Sequence, residues 1–242
     1  KTYYISKKTI FNNFIHYGDF YIENKISSIQ LLDLISNPSN VINKITIIEG
    51  WSKNELKSEL SKYFNNIYEI EYEDIIADTY FFEKNTNFET FHKKLITFRN
   101  KYLMKFKENS IYNSYTNLEI MIIGSLIEKE GLDEDDKKKI ASVIFNRLDK
   151  KMKLQIDATV IYGLTNGNYN LNRKLLLKDL KIKHPFNTYR IKALPPKPIS
   201  YVGKKTIDIL FENYETNYLF YFFNNSLNRH IFSENYHEHK NK

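Results

Sequence analysis

Thr116-Asn117-Leu118-Glu119-Ile120-Met121-Ile122-Ile123-Gly124-Ser125-Leu126-Ile127-Glu128-Lys129-Glu130-Gly131 is the stretch on which the fold turns. Thr116 and Glu119, three residues apart, make a capping-box pattern, in which a hydroxyl and a carboxyl satisfy the backbone N–H groups left over at a helix start. Residues 120–127 are apolar or small all round, as expected of a helix buried at the centre of a domain. Gly131 suits a C-cap. Residues three and four apart share a helix face, so Glu128 lies over Ser125 and Gly124, with Met121 beyond. The two small residues predict an open groove beside Glu128, and apolar surroundings would favour the acid form that a general acid needs. Glu130 points about 200° away round the helix, above Leu126 and Ile127, so both carboxylates cannot face one cleft. Spacing alone favours a plainer reading, two ordinary carboxylates at a fraying helix end beside Lys129.

Outward from this helix the pattern is α+β. Ser27 with Gln30 and Ser52 with Glu55 are two more capping boxes. The first third reads β-α-β-α: a short strand at 20–22, a helix over 29–35 ended near Asn37-Pro38, a strand at 44–48 closed by Glu49-Gly50, and a helix marked by Leu56 and Leu60. Residues 69–82 read as irregular, and 88–107 as a helix carrying Phe91, Leu95, Phe98 and Tyr102 at helical spacing. Beyond the central helix come a helix over 133–150, an irregular run at 185–198, a helix over 202–213, and strands at 218–223 and 230–232. Asp157 is either a second carboxylate or the N-cap of a helix beginning at Ala158, the spacing favouring the cap.

Composition excludes more than it selects. The chain has 242 residues, 42% of them hydrophobic, with 19 Tyr, 17 Phe, 7 Gly and 5 Pro, which argues for a packed core and against disorder. The net charge of +7 is dispersed, as where Lys137-Lys138-Lys139 follows Asp133, Glu134, Asp135 and Asp136, so no nucleic-acid partner is expected. There is no cysteine, hence no thiol chemistry. No apolar run reaches the roughly 20 residues that span a bilayer. His237-x-His239 lacks further placed ligands, and neither metal nor other cofactor is expected.

Several motifs, in order, resemble the YceG-like endolytic murein transglycosylases. They are Ile45-Thr46-Ile47-Ile48-Glu49-Gly50-Trp51, Asp78-Thr79-Tyr80, Ile127-Glu128-Lys129-Glu130, and Ile140-Ala141-Ser142-Val143-Ile144-Phe145-Asn146-Arg147-Leu148. Met152 to Gly163, Asn187-Thr188-Tyr189-Arg190 and Leu194-Pro195-Pro196-Lys197-Pro198-Ile199 continue the series. The resemblance runs from about residue 18 to the C-terminus. Ala158 stands where the family usually has proline, His184 and Phe186 where it has serine and tyrosine, and Ala193 and Lys197 where it has glycines.

That resemblance implies a lyase that cuts the MurNAc–GlcNAc bond of nascent glycan strands, leaves 1,6-anhydro ends and terminates elongation. It assigns Glu128 as the one catalytic carboxyl, general acid and then base. Ser125, Gln155, Asp157, Asn187, Thr188, Tyr189 and Arg190 are the candidate substrate contacts. It also implies a small LysM-like β-α-β module at 1–75, and a mixed α+β catalytic domain built round the buried helix at 76–242. An N-terminal single-pass anchor in the inner membrane would precede the chain and place the catalytic domain in the periplasm or facing the wall. Peptidoglycan synthases would be partners. Two rivals stay open: a noncatalytic peptidoglycan-binding module, and a hydrolytic muramidase using Asp157 as the second carboxylate.

Overall fold

The computed structural model describes residues 15–16, 19–22, 25–39, 41–169 and 171–241. The start of the expected first module, residues 1–14, lies outside the described residues. The chain divides into two compact units: residues 1–46 with 79–91, and residues 47–78 with 92–242. The architecture is mixed α and β, helices with small sheets.

In the first unit, helix α1 (Ser28–Ile35) starts at the Ser27–Gln30 capping box. Strand β1 (Ile42–Thr46) pairs antiparallel with β3 (Thr79–Glu83), Ile45 opposite Tyr80. Two expectations change here. Residues 20–22 form no strand, and Tyr21 and Ile22 lie exposed. The neighbour of β1 comes instead from the run read as irregular. There Tyr80 and Phe82 point inward, and Phe91, on helix α3 (Phe88–Leu103), packs its ring against both. The alternation that marks a strand was hidden because Phe81, on the exposed side, is apolar as well.

In the second unit, helix α5 (Asn117–Glu130) is the axis, and every residue from Ile120 to Ile127 is buried. Around it pack α6 (Glu134–Asp149), α7 (Asp157–Thr165), α8 (Lys204–Phe211) and the short strand β4 (Val202–Gly203), which pairs in parallel with β2 (Ile76–Ala77). Each fully buried Ile or Leu of that shell contributes about 1.5–3 kcal/mol of transfer free energy. The other α-helices among the described residues are α2 (Lys53–Leu60), α4 (Ser110–Ser114) and α9 (Tyr236–Asn241). Strands β5 (Phe220–Asn224) and β6 (Arg229–Ser233) form one antiparallel hairpin. All three capping boxes form as the sequence predicts. Asp133 caps α6, accepting from the Asp136 N–H. Among the described residues no helix is long and apolar enough to cross a membrane.

Candidate active site

The small residues of α5 do not open a groove. Gly124 is the seat of β4: a Cβ there would come within 2.7 Å of a Val202 methyl. Ser125 is fully buried, its hydroxyl donating to the Ile122 carbonyl and accepting from the Ile199 N–H. The space beneath Glu128 is thus filled by residues 199–203, because a helix face made of Gly and Ser lets another backbone approach closely. Ser125, expected to contact substrate, presents no surface and serves as a packing and hydrogen-bonding post.

Glu128 accordingly sits in a closed setting, its side chain only 1% exposed. One carboxylate oxygen pairs with Lys137 Nζ at 2.5 Å, and the other accepts from the Gly203 N–H at 2.9 Å. Lys137 also donates to Thr206 on α8, so the pair ties α5, α6, β4 and α8 together. Gly131 makes the pair possible. It ends α5 in an extended rather than left-handed conformation, and a Cβ there would fall within 2.3 Å of the Lys137 stem. Neighbouring Lys129 donates to the Gly50 carbonyl.

Glu130 meets the opposite surroundings. Its carboxyl accepts from the Tyr221 hydroxyl at 3.3 Å and from the backbone N–H of Ala158, in the first turn of α7. Desolvation comes first among the causes that push its pKa up to about 7, with the Asp157 charge next. No cation pairs with Glu130 among the described residues. The Tyr221 hydroxyl is held well above its ordinary range by burial and then by Glu130, so it stays a neutral donor. Asp157 is the first residue of α7 and caps nothing; it accepts from the Tyr189 hydroxyl at 2.6 Å. Burial and that bond raise the Tyr189 hydroxyl.

The loop residues divide into supports and surface. Asn187 and Thr188 are fully buried. The Asn187 amide donates to the Leu180 and Ile182 carbonyls and accepts from the Tyr189 N–H, while the Thr188 hydroxyl accepts from the Ile156 N–H. Their polar atoms are spent on backbone, which welds the 187–190 loop to the start of α7 and brings Tyr189 to Asp157. Gln155, with a left-handed φ of 53°, and Arg190 are exposed. Arg147 is buried at the other side of this floor. Its guanidinium donates to the Lys153, Leu154 and Leu219 carbonyls, fastening the approach to α7 to the approach to β5.

The structure therefore gathers Asp157 and Tyr189 round Glu130. The two carboxylates of α5 do face apart, as helix geometry requires; the polar segments lie on the Glu130 side. Tyr221 and Lys137 escaped the sequence reading. A single Tyr among 19 carries no signal, and Lys137 stands in a run of three lysines after four acidic residues, which reads as a solvated helix face.

Known proteins resemble this chain in sequence and in fold. The YceG-like family model matches residues 2–242. The endolytic murein transglycosylase of Bacillus subtilis strain 168 is 35% identical over 159 residues, 66% of this chain and 43% of that protein. Its namesake from Streptococcus pneumoniae D39 is 31% identical over 123 residues, 50% of this chain and 22% of that protein. The chain thus spans less than half the length of these curated relatives. A crystal structure of a yceG-like protein, lmo1499, from Listeria monocytogenes superposes over 100% of this chain and 90% of its own, with a TM-score of 0.67 at 22% identity, a likeness of fold. By the family model, which takes in almost every residue, this chain belongs to the YceG-like family.

Proposed function

We propose that this chain carries the catalytic part of an endolytic peptidoglycan lytic transglycosylase, and that Glu130, rather than Glu128, is its acid and base. One observation carries the reading: a buried carboxyl without a counter-ion, held by a tyrosine hydroxyl and a helix-start N–H beside a second carboxylate. Such a group is still protonated near neutral pH and can give its proton to the glycosidic oxygen as the C1–O bond breaks. The resulting carboxylate, stabilised by Tyr221 and Ala158, takes the proton of the sugar's 6-hydroxyl while O6 closes on C1. Proton and bonds balance without water, and a 1,6-anhydro end results.

Asp157, steadied by Tyr189, faces the same place and would support positive charge developing at C1. The relatives' printed name, endolytic murein transglycosylase, supports the substrate class. Cleavage of nascent strands would terminate their elongation. The LysM-like role of 1–75, the catalytic domain at 76–242, the membrane anchor, the wall-facing location and the synthase partners belong to the same proposal.

The closeness of Asp157 to Glu130 favours one second reading, hydrolysis with two carboxylates. Mass spectrometry of products from purified glycan strands separates the readings. Anhydro ends support the lyase, reducing ends would replace it with a muramidase, and uncut strands would leave a binding module. Paired variants then test the carboxyl. Loss of cleavage in Glu130→Gln, with Glu128→Gln active, supports the assignment. An active Glu130→Gln beside an inactive but normally folded Glu128→Gln would return it to Glu128.

A further inference from the structure

A second concave surface lies on another face of α6. Ser142, Phe145, Asn146 and Asp149, at helical spacing, form the floor of a groove of about 610 Å³. Arg147, by contrast, turns away to the Lys153, Leu154 and Leu219 carbonyls. One wall is α4 with Tyr115; the other is the end of α8 and the segment 213–217.

The groove is built before anything enters it. Asn146 donates to the Thr216 and Tyr218 carbonyls, and the Ser142 hydroxyl accepts from the Thr216 N–H. Asn109 donates to the Phe211 carbonyl and anchors the opposite wall. Walls fixed in this way spare a ligand the cost of ordering them.

The lining has a definite chemical character. Two carboxylates, Asp149 and Glu215, face it, and no Lys, Arg or His lines it, in a chain with 36 Lys and Arg. Glu215 accepts from the Asn213 amide, whereas Asp149 makes no hydrogen bond among the described residues. Tyr115, its ring 5.5 Å from that of Phe145, and Tyr214, 41% exposed, give aromatic surface on either side. A carboxylate in a groove that also carries aromatic rings suits an ammonium group, through charge and through the ring quadrupoles. The volume is far larger than one ammonium, and the amides of Asn213 and Asn217 can hydrogen-bond a peptide backbone.

We propose that this groove binds the ammonium end of an amine-bearing peptide strand, with Asp149 as its counter-ion and the rings of Tyr115 and Tyr214 beside it. The site is separate from Glu130 and does not depend on the cleavage chemistry.

The test uses three probes on the chain, followed by NMR amide shifts and calorimetry: N-acetyl-Ala-Ala-Lys-amide, the same peptide acetylated on Nε, and chitotriose. The free amine should shift the amides of Tyr115, Asp149 and Asn217. Acetylation of Nε, and separately Asp149→Asn, should each weaken binding about tenfold, the scale of one lost charge-assisted contact. Should Asp149→Asn lower the melting temperature, Tyr214→Ala, at an exposed position, is expected to weaken binding about threefold. Glu130→Gln should bind the peptide as the parent does, so failure here and failure of the cleavage reading are distinguishable. Equal binding of the acetylated peptide, tighter binding of chitotriose at the same amides, shifts elsewhere, or no binding at millimolar peptide would each overturn the proposal.

Discussion

Glu128 and Glu130 stand two residues apart at the end of one helix and meet opposite fates. Glu128 is buried with a lysine and a backbone N–H, so its charge is matched and tied to four elements. Glu130 is buried with neutral donors and a like charge, so its ionised form is disfavoured. The same residue type becomes a clasp in one place and a titratable group poised near neutrality in the other. What separates them is the partner, not the degree of burial.

The largest expected effect comes from removing the poised group. Glu130→Gln should lower the rate of cleavage about 10³-fold, within the range for losing a general acid. Its melting temperature should hold or rise, because a desolvated carboxyl is replaced by an amide. Product release assayed beside a thermal melt checks both halves, and a variant that unfolds while losing activity would blur the contrast between the two glutamates.

Glu128→Gln should do the reverse. It leaves the Lys137 ammonium, 16% exposed, without its counter-charge. Breaking a buried pair in this way costs about 3 kcal/mol, or roughly 6–12 °C in a domain of this size. Well below the new melting temperature, cleavage should fall less than tenfold. Calorimetry that finds no destabilisation would remove the clasp from the comparison.

The pH dependence sharpens the contrast further. The folded pKa of Glu130 lies above its ordinary value, so between about 4.5 and 7 the native state binds more protons than the unfolded one. Stability should therefore fall as pH rises through that window, by about 3 kcal/mol in all from this group, and level off above it. Cleavage should decline over the same upper limb as the acid is lost. In Glu130→Gln this part of the stability slope should vanish, whereas in Glu128→Gln it should persist. Denaturant melts at pH 5 and pH 7.5 on the three proteins measure it.

The smallest effect concerns Ala158, where the family usually has proline. Its N–H lowers the Glu130 pKa against the prevailing upward push. Ala158→Pro removes that donor in the first turn of a helix, where proline is tolerated. The descending limb of activity should move to higher pH, with a change in rate of only a few-fold, the size of one modest hydrogen bond. An unmoved limb would mean that this N–H has no part in tuning the carboxyl.

Local signals set the elements, and they were legible residue by residue. The hydroxyl–carboxyl pairs at Thr116, Ser52 and Ser27 marked helix starts, because the partners lie three residues apart and need nothing else from the fold. The all-round apolar run from Ile120 to Ile127 marked the buried axis for the same reason. The motifs from Ile45 to Ile199 sufficed for the family.

The contrast between the two carboxyls was out of reach of such signals. Helix geometry alone required Glu128 and Glu130 to diverge, but which of them would be neutralised depended on Lys137 beyond a turn and on Gly203, 75 residues after Glu128. Likewise Gly124 and Ser125 look like an opening until Val202 and Ile199 are seen to fill it. Even the β3 pairing waited on the tertiary structure, since Phe81 is as apolar as its buried neighbours. Sequence by itself determined where helices begin, which one is buried and which family the chain resembles, because those depend on neighbours along the chain. Only the tertiary structure decided which carboxyl is paired and which is poised, because desolvation and counter-charge come from residues distant in sequence.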